Sequence, residues 1–277
     1  MPGDFTWDET LYAGTAAYYA AGRLPYPAEL ADALRAALAL DGTGRLLDVG
    51  CGPGSLTVLL APLFAAATGI DAEHTMITRA AADADWPASR NVSWQRLRAE
   101  ELPGGLGQFR LVTFAQSFHW LDQAAVAAAV RRMLDTGGAC AHVHATTHEG
   151  ATDGAPMQYP RPPRARIAAL VADYLGPVRR AGRSFLPAGP PADGDTAMTA
   201  AGFRGPERLE VPAGAVHERT AGQVVASVLS LSSAAPHLFG ERLDDFESQL
   251  RRLLRQVSPG GLFCERQRPI AVDIWRP

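Results

Sequence analysis

The chain has 277 residues, 47% of them hydrophobic, and a formal net charge of −3 from 26 basic and 29 acidic side chains. That length supports a sizeable core, and the charge balance supplies no basic field for a nucleic-acid partner. Every basic residue is arginine, which excludes a lysine base or Schiff base; with abundant alanine, glycine and proline it hints at a GC-rich bacterial genome.

The first segment is aromatic, with Tyr12, Tyr18 and Tyr19, and leads to Arg23-Leu24-Pro25-Tyr26-Pro27. These tyrosines are expected either to lie over a ligand or to anchor an N-terminal helix on the sheet. Pro27 suits a helix start, and Leu30, Leu34 and Leu38 form one stripe up to about Leu40. Arg45 to Val49 is a short apolar run. A glycine-rich turn and a helix from Ser55 to about Ala61 follow. Residues 66–71 and 92–97 read as strands with a helix over 73–82 between them. A strand at 111–114, a helix from Asp122 to Leu134 and a strand at 139–144 complete an alternating pattern. Such alternation predicts a parallel sheet covered by helices on both faces.

Composition shifts after His148. Residues 149–193 are rich in proline, glycine and arginine, with one helical patch at 167–171, and are expected to be an inserted segment over one end of the sheet. A short helix at 194–203 and a strand at 207–211 come next. Two amphipathic helices are striped by Val224, Val225, Val228 and Leu229, and by Leu243, Phe246, Leu250, Leu253 and Leu254. Ser230, Ser232 and Ser233 are expected to face either the substrate or solvent, with solvent the favoured reading. Residues 270–274 alternate as a closing strand. The expected organisation is a core at 1–148 with an N-terminal helical lid, an inserted cap segment at 149–193, and 194–277 completing the sheet with two cap helices.

Cys51, Cys140 and Cys264 lack metal or disulfide spacing. The start carries no signal pattern, and no apolar run approaches the ~20 residues of a membrane helix. The expectation is a cytoplasmic monomer or homodimer without a membrane partner.

The chemistry gathers around Asp48-Val49-Gly50-Cys51-Gly52-Pro53-Gly54, directly after a strand and before a helix. Glycines there permit positive φ and close approach of a ligand. Such turns hold nucleotide-like molecules at the carboxyl edge of a sheet. The spacing is Gly-x-Gly-x-Gly with Ser55 next, which argues against a pyrophosphate seat and so against a nicotinamide-dependent oxidoreductase. Asp71 ends the next strand 21 residues after Gly50, where a carboxylate accepts from ribose hydroxyls or caps the following helix.

Taken together, Leu46 to Thr57, Gly69-Ile70-Asp71-Ala72, Ala99-Glu100-Glu101-Leu102-Pro103 and Phe114 to Asp122 resemble the ordered motifs of class I S-adenosylmethionine (SAM)-dependent methyltransferases. Phe114 to Asp122 and Arg23-Leu24-Pro25-Tyr26-Pro27 also resemble the small-molecule branch near trans-aconitate methyltransferase, a type 11 subgroup. The resemblance implies a Rossmann-like, doubly wound, seven-stranded sheet, mostly parallel with an antiparallel closing strand, and a helical cap over the carboxyl edge. It implies SAM as methyl donor, S-adenosylhomocysteine as product, and a small-molecule acceptor in secondary metabolism.

By the same resemblance Gly50 and Gly52 line the methionine, Asp48 orients the loop and Asp71 holds the ribose. Ala72 and Met76 pack the adenine, Ala99 and Glu100 reach its edge, and Gln116 sits near the amino group. Arg23 pairs with the carboxylate, which a guanidinium fork fits. Arg98 departs from the pattern, since many relatives are acidic there. A protein that binds SAM without methylating is the alternative.

Tyr18, His119 and Trp120 are expected at the substrate pocket, Trp120 as a hydrophobic wall. His119 is a candidate general base, although a packing role fits it better because displacement at a sulfonium rests on proximity. His144, at the carboxyl end of its strand, is a second candidate. His142, His144 and His148 lack a well-placed acidic or cysteine partner, so no metal is expected.

Overall fold

The computed structural model describes residues 12–82, 91–152, 154–177, 180–181, 184–185, 194–212 and 214–277. In chain order the elements are α1 (Ala16–Gly22), α2 (Ala28–Leu38), β1 (Arg45–Val49), α3 (Ser55–Leu60), β2 (Ala66–Asp71), α4 (His74–Ala82), β3 (Val92–Arg96), β4 (Phe109–Ala115), α5 (Gln123–Met133) and β5 (Leu134–His144). They continue as α6 (Arg164–Leu175), β6 (Arg180–Ala181), β7 (Ser184–Phe185), α7 (Gly194–Ala200), β8 (Arg204–Val211), β9 (Val216–Thr220), α8 (Ala221–Leu229), α9 (Pro236–Phe239), α10 (Leu243–Val257), β10 (Leu262–Arg266) and β11 (Ile270–Arg276).

Seven strands form one sheet in the order β3-β2-β1-β4-β5-β11-β8. The pairs from β3 through β5 are parallel, and β11 runs antiparallel to both its neighbours. This is the doubly wound, Rossmann-like sheet with an antiparallel closing strand. Consecutive residues serve opposite faces because side chains alternate along a strand. Leu46, Leu111, Val143 and Val272 pack with Leu30, Leu34, Leu56 and Leu60 of α2 and α3. Leu47, Val112, Cys140 and Trp275 pack with Val126, Val130 and Met133 of α5.

A third cluster lies in the cap. Val224, Val228, Phe246, Leu250 and Leu254, the expected stripes of α8 and α10, meet Ile167 and Val171 of α6 and Phe263 of β10. Each large side chain buried there contributes roughly 1.5–3 kcal/mol. So α6, the helix of the 149–193 segment, shares a core with the C-terminal helices. Parts of that segment, and the chain before Tyr12, lie outside the described residues.

Periodicity did not foresee the antiparallel pair β9–β10, in which Thr220 faces Leu262 and Val216 faces Arg266. Strands 4 and 5 also begin earlier than expected, at Phe109 and Leu134. Helix α1 packs on α8 through Gly22, where a Cβ would lie 2.5 Å from the Ala226 carbonyl oxygen. A glycine is required at this crossing, and it fixes the N-terminal helix to the cap.

Candidate cofactor cleft

β1 delivers the glycine loop to the carboxyl edge of the sheet. Gly50, Gly52 and Gly54 all have positive φ, at 68°, 55° and 88°. A Cβ on Gly50 would sit 2.6 Å from the Ser117 Cβ, so the loop and the segment after β4 meet without room for a side chain. Ser117 donates from Oγ to the Val49 carbonyl oxygen at 2.6 Å and ties the two strand ends together. Trp94 of β3 occupies the space where a Cβ on Gly54 or Gly69 would stand.

The loop amides are already engaged. Gly50 and Cys51 donate to the Ile70 carbonyl oxygen, Gly54 to that of Cys51, and Gly52 to Asp71 Oδ2 at 2.9 Å. A pyrophosphate seat needs such amides free and converging, and the loop spends them on holding its own shape. Asp71 also accepts from the Glu73 amide at 2.8 Å through Oδ1. The carboxylate therefore starts the turn into α4 and braces the glycine loop at once. Each oxygen keeps a further lone pair for a hydroxyl donor. Burial raises the Asp71 carboxyl to about 6, against the lowering effect of its two backbone donors.

A cavity opens over this edge. Arg23, Gly50, Gly52, Asp71, Ala72, Met76, Ala99, Glu100, Gln116 and Trp120, all expected at the site, line it together. Ala72, Met76, Leu97 and Ala99 give one end an apolar character. Glu100 accepts the Asp122 amide at 3.1 Å on Oε1. Gln116 has φ 55°, a left-handed conformation uncommon outside glycine. Such strain persists where the surroundings over-determine it, often at a ligand site. Tyr12 and Trp120, both in the lining, meet edge to face with ring centroids 5.9 Å apart. The cavity measures about 120 Å³ in this conformation. That is below the roughly 300–1,000 Å³ of ligand pockets, and a narrower space that shares Tyr19, Arg23 and Gly50 adjoins it.

Four expected site residues stand elsewhere. Asp48 lies beneath the loop, 1% exposed, accepting from Thr57 Oγ1 at 2.6 Å and Thr113 Oγ1 at 2.8 Å. Tyr18 packs against the cap core and is not part of the cavity wall. His119 is outside the cavity wall, its ring 5.1 Å from Trp120, and burial lowers its pKa to about 4. His144 is also outside the wall, half-exposed, with Nε2 2.9 Å from Asp273 Oδ2. His142 lies buried among Phe114, Phe118 and Trp275, and burial takes its pKa to about 4. Among the described residues no group of three or more histidine, cysteine, aspartate or glutamate side chains is placed to hold a metal.

Ser230 corrects the expectation of a solvent-facing serine. It is fully buried, and Arg23 donates to its Oγ at 2.9 Å and to its carbonyl oxygen at 2.8 Å. Arg23 also lies over the Tyr19 ring, 4.5 Å from its centroid. The cap thus aims Arg23 into the cleft from helix α8. Sequence reasoning missed Trp94, Ser117 and Leu97. Ser117 sat in plain view directly after Gln116, whereas Trp94 carries no local signal of its contact with the loop.

Residues 46–138 match the family model described as a methyltransferase domain. No curated protein matches the chain. Among solved structures, the chain is similar to a candidate methyltransferase of Bacillus halodurans at 18% identity, covering 90% of this chain and 99% of that one, with a TM-score of 0.50. It is also similar to a candidate type II methyltransferase of Anaeromyxobacter dehalogenans at 19% identity, covering 91% and 95%, with a TM-score of 0.52. At these identities the structural likeness shows the fold. Among the described residues, no helix is long and apolar enough to cross a membrane.

Proposed function

From the match of residues 46–138 to a methyltransferase-domain model, we propose that the chain transfers a methyl group from SAM to a small-molecule acceptor. The observation that carries this reading is one cavity wall that joins Gly50, Gly52 and Arg23 to Asp71 and to the apolar group Ala72, Met76 and Ala99. This is a sequence of subsites for an amino acid, a ribose and a flat base. The loop's engaged amides favour such a ligand over a dinucleotide, because no pyrophosphate seat remains.

In this reading SAM supplies an electrophilic methyl on a sulfonium. Arg23, steadied by Ser230 and Tyr19, meets the carboxylate. Asp71 accepts from the ribose hydroxyls, and Glu100 stands at the adenine edge. The protein's contribution is alignment and exclusion of water, which for a direct displacement supplies much of the rate. Tyr12 and Trp120 close over the donor and bound the acceptor side. The core at 1–148 carries the donor site, and the 149–193 segment with the C-terminal helices covers the acceptor.

Calorimetric titration with SAM and S-adenosylhomocysteine tests this. Asp71→Ala removes two hydrogen bonds to a charged acceptor, each worth about 1.5 kcal/mol, so affinity should fall roughly 100-fold. Absent binding by the native chain, or unchanged binding by the variant, defeats the reading. Ligand binding with no methylated product across a broad acceptor panel favours a protein that binds SAM without methylating.

A further inference from the structure

The narrow space beside the cofactor cleft measures about 30 Å³, room for roughly two water-sized groups. A carboxylate head is of that size. Gly50 and Cys51 of the glycine loop line it, together with Tyr19, Arg23 and Tyr26. Gly50, Tyr19 and Arg23 also belong to the wall of the cleft, whereas Tyr26 does not. The two spaces therefore adjoin along the glycine loop, and Tyr26 stands behind Arg23 as seen from the cleft wall.

The chain holds Tyr26 rigidly there. Pro25 and Pro27 flank it, and a residue before proline is kept extended. The Leu24 amide donates to the Thr147 carbonyl oxygen at 2.7 Å, and Gln267 Nε2 donates to the Pro25 carbonyl oxygen at 2.6 Å. The Tyr26 ring packs on the core cluster of α2 and α3. Its hydroxyl makes no hydrogen bond among the described residues, and it is not sealed from the spaces that Tyr26 lines. The phenol lies within electrostatic reach of Tyr19, Asp48 and Arg23, and burial pushes its pKa up. It therefore stays protonated and keeps an O–H to donate. A donor fixed in advance by its own backbone and core loses little freedom when a ligand arrives. Arg23 supplies the charge beside it. Two of its five N–H groups go to Ser230, and the other three remain.

We propose that Tyr26 is a donor-binding residue: its hydroxyl and Arg23 together hold the α-carboxylate of SAM in the narrow space, and so select a donor that keeps its amino-acid end. This rests on the SAM reading and extends it to a residue outside the cleft wall. The ribose and base are held by other residues, so the contribution of Tyr26 belongs to the amino-acid end alone.

The test is calorimetric titration of the full chain with S-adenosylhomocysteine and with methylthioadenosine, which keeps the adenosine and the sulfur but lacks the amino-acid end. Where methylthioadenosine binds weakly, it is read by displacement of S-adenosylhomocysteine. Tyr26→Phe removes one hydrogen bond to a charged acceptor and should weaken S-adenosylhomocysteine about tenfold. It should leave methylthioadenosine within about twofold of native. Asp71→Ala, by contrast, should weaken both ligands. An unchanged affinity of Tyr26→Phe for S-adenosylhomocysteine overturns the assignment. So does an equal loss for the two ligands, which would mark a general disturbance of the cleft. A native chain that binds neither ligand overturns the SAM reading itself, and the Tyr26 assignment falls with it.

Discussion

The carboxyl edge of the sheet and the helical cap solve the same problem, holding polar groups in a dry interior, by opposite means. At the edge the partners belong to the sheet and to the turns and helix that leave it. Gly52 and Glu73 amides satisfy Asp71, and the hydroxyls of Thr57 on α3 and Thr113 on β4 satisfy Asp48. In the cap the partners come from separate elements. Glu265 of β10 receives Arg164 from α6 and Arg219 from β9, and the Gly150 amide besides. Arg219 then donates to the Gly22 carbonyl oxygen, and Arg164 to Ser227 and to the His148 carbonyl oxygen. One carboxylate thus ties the inserted segment, the cap and the N-terminal helix together. The edge can be read as recognition and the cap knot as assembly, and substitutions should separate the two.

The largest separation is expected at Glu265. Its side chain and that of Arg219 are each 3% exposed. Glu265→Ala leaves two guanidinium groups facing each other without their carboxylate, which costs about 3–5 kcal/mol. Thermal unfolding should drop by roughly 10 °C. At a temperature where the variant is folded, its affinity for S-adenosylhomocysteine should stay within about threefold of native, because the edge residues are untouched. A loss of affinity as large as that of Asp71→Ala would show that the knot also sets the cleft.

His142 lies in the core between these regions. Its folded pKa is about 4 against 6.5 for the free side chain, because burial disfavours the imidazolium. Its Nε2 has no partner. The unfolded chain binds the proton more readily between those values, so this stability is complete above pH 6.5 and is lost as pH falls toward 4. His142→Phe fits the aromatic neighbours Phe114 and Phe118 and removes the term. The variant should gain about 2 kcal/mol over native at pH 5 and much less at pH 8, measured by denaturant unfolding. His119 shifts the same way, so the acid slope should shrink without vanishing. An equal gain at both pH values would mean that packing, and not protonation, is responsible.

How much of this was legible in the sequence follows the same division. The glycine loop, Asp71 and the Ala99-Glu100 pair are coded by neighbours along the chain, and the structure gathers them in one wall. Asp48 was legible as part of the loop, yet its partners Thr57 and Thr113 place it below the cavity. Ser230 was read as exposed because a serine after an apolar helix is usually solvated. Its burial follows from Arg23, 207 residues away. The spacing of Ser227 and Ser230, three apart on the buried face of α8, was the available signal; each meets an arginine from another element. Strands β9 and β10 escaped because Val216-His217-Glu218-Arg219-Thr220 has no clean alternation, and its partner lies beyond α8, α9 and α10. His119 and His144 illustrate the limit for catalysis: residue type and strand end suggested chemistry, while the side chains turn to Trp120 and to Asp273.

The smallest effect is the most specific to the edge. Burial holds the Asp71 carboxyl at about 6, above its usual value. For the free chain the sign is opposite to that of His142: the folded state binds the extra proton, so this contribution weakens stability as pH rises from about 4 through 6. For binding, ribose hydroxyls donate to the charged carboxylate, so affinity is complete above pH 6 and falls as the group protonates. Between pH 7 and pH 5 the affinity for S-adenosylhomocysteine should drop about tenfold, or roughly 1.4 kcal/mol. Asp71→Asn keeps an acceptor but cannot titrate, so its weaker binding should be flat over the same range. A slope that persists in the asparagine variant would move the titrating group away from Asp71. The carboxylate's recognition role would then rest on its brace to Gly52 alone.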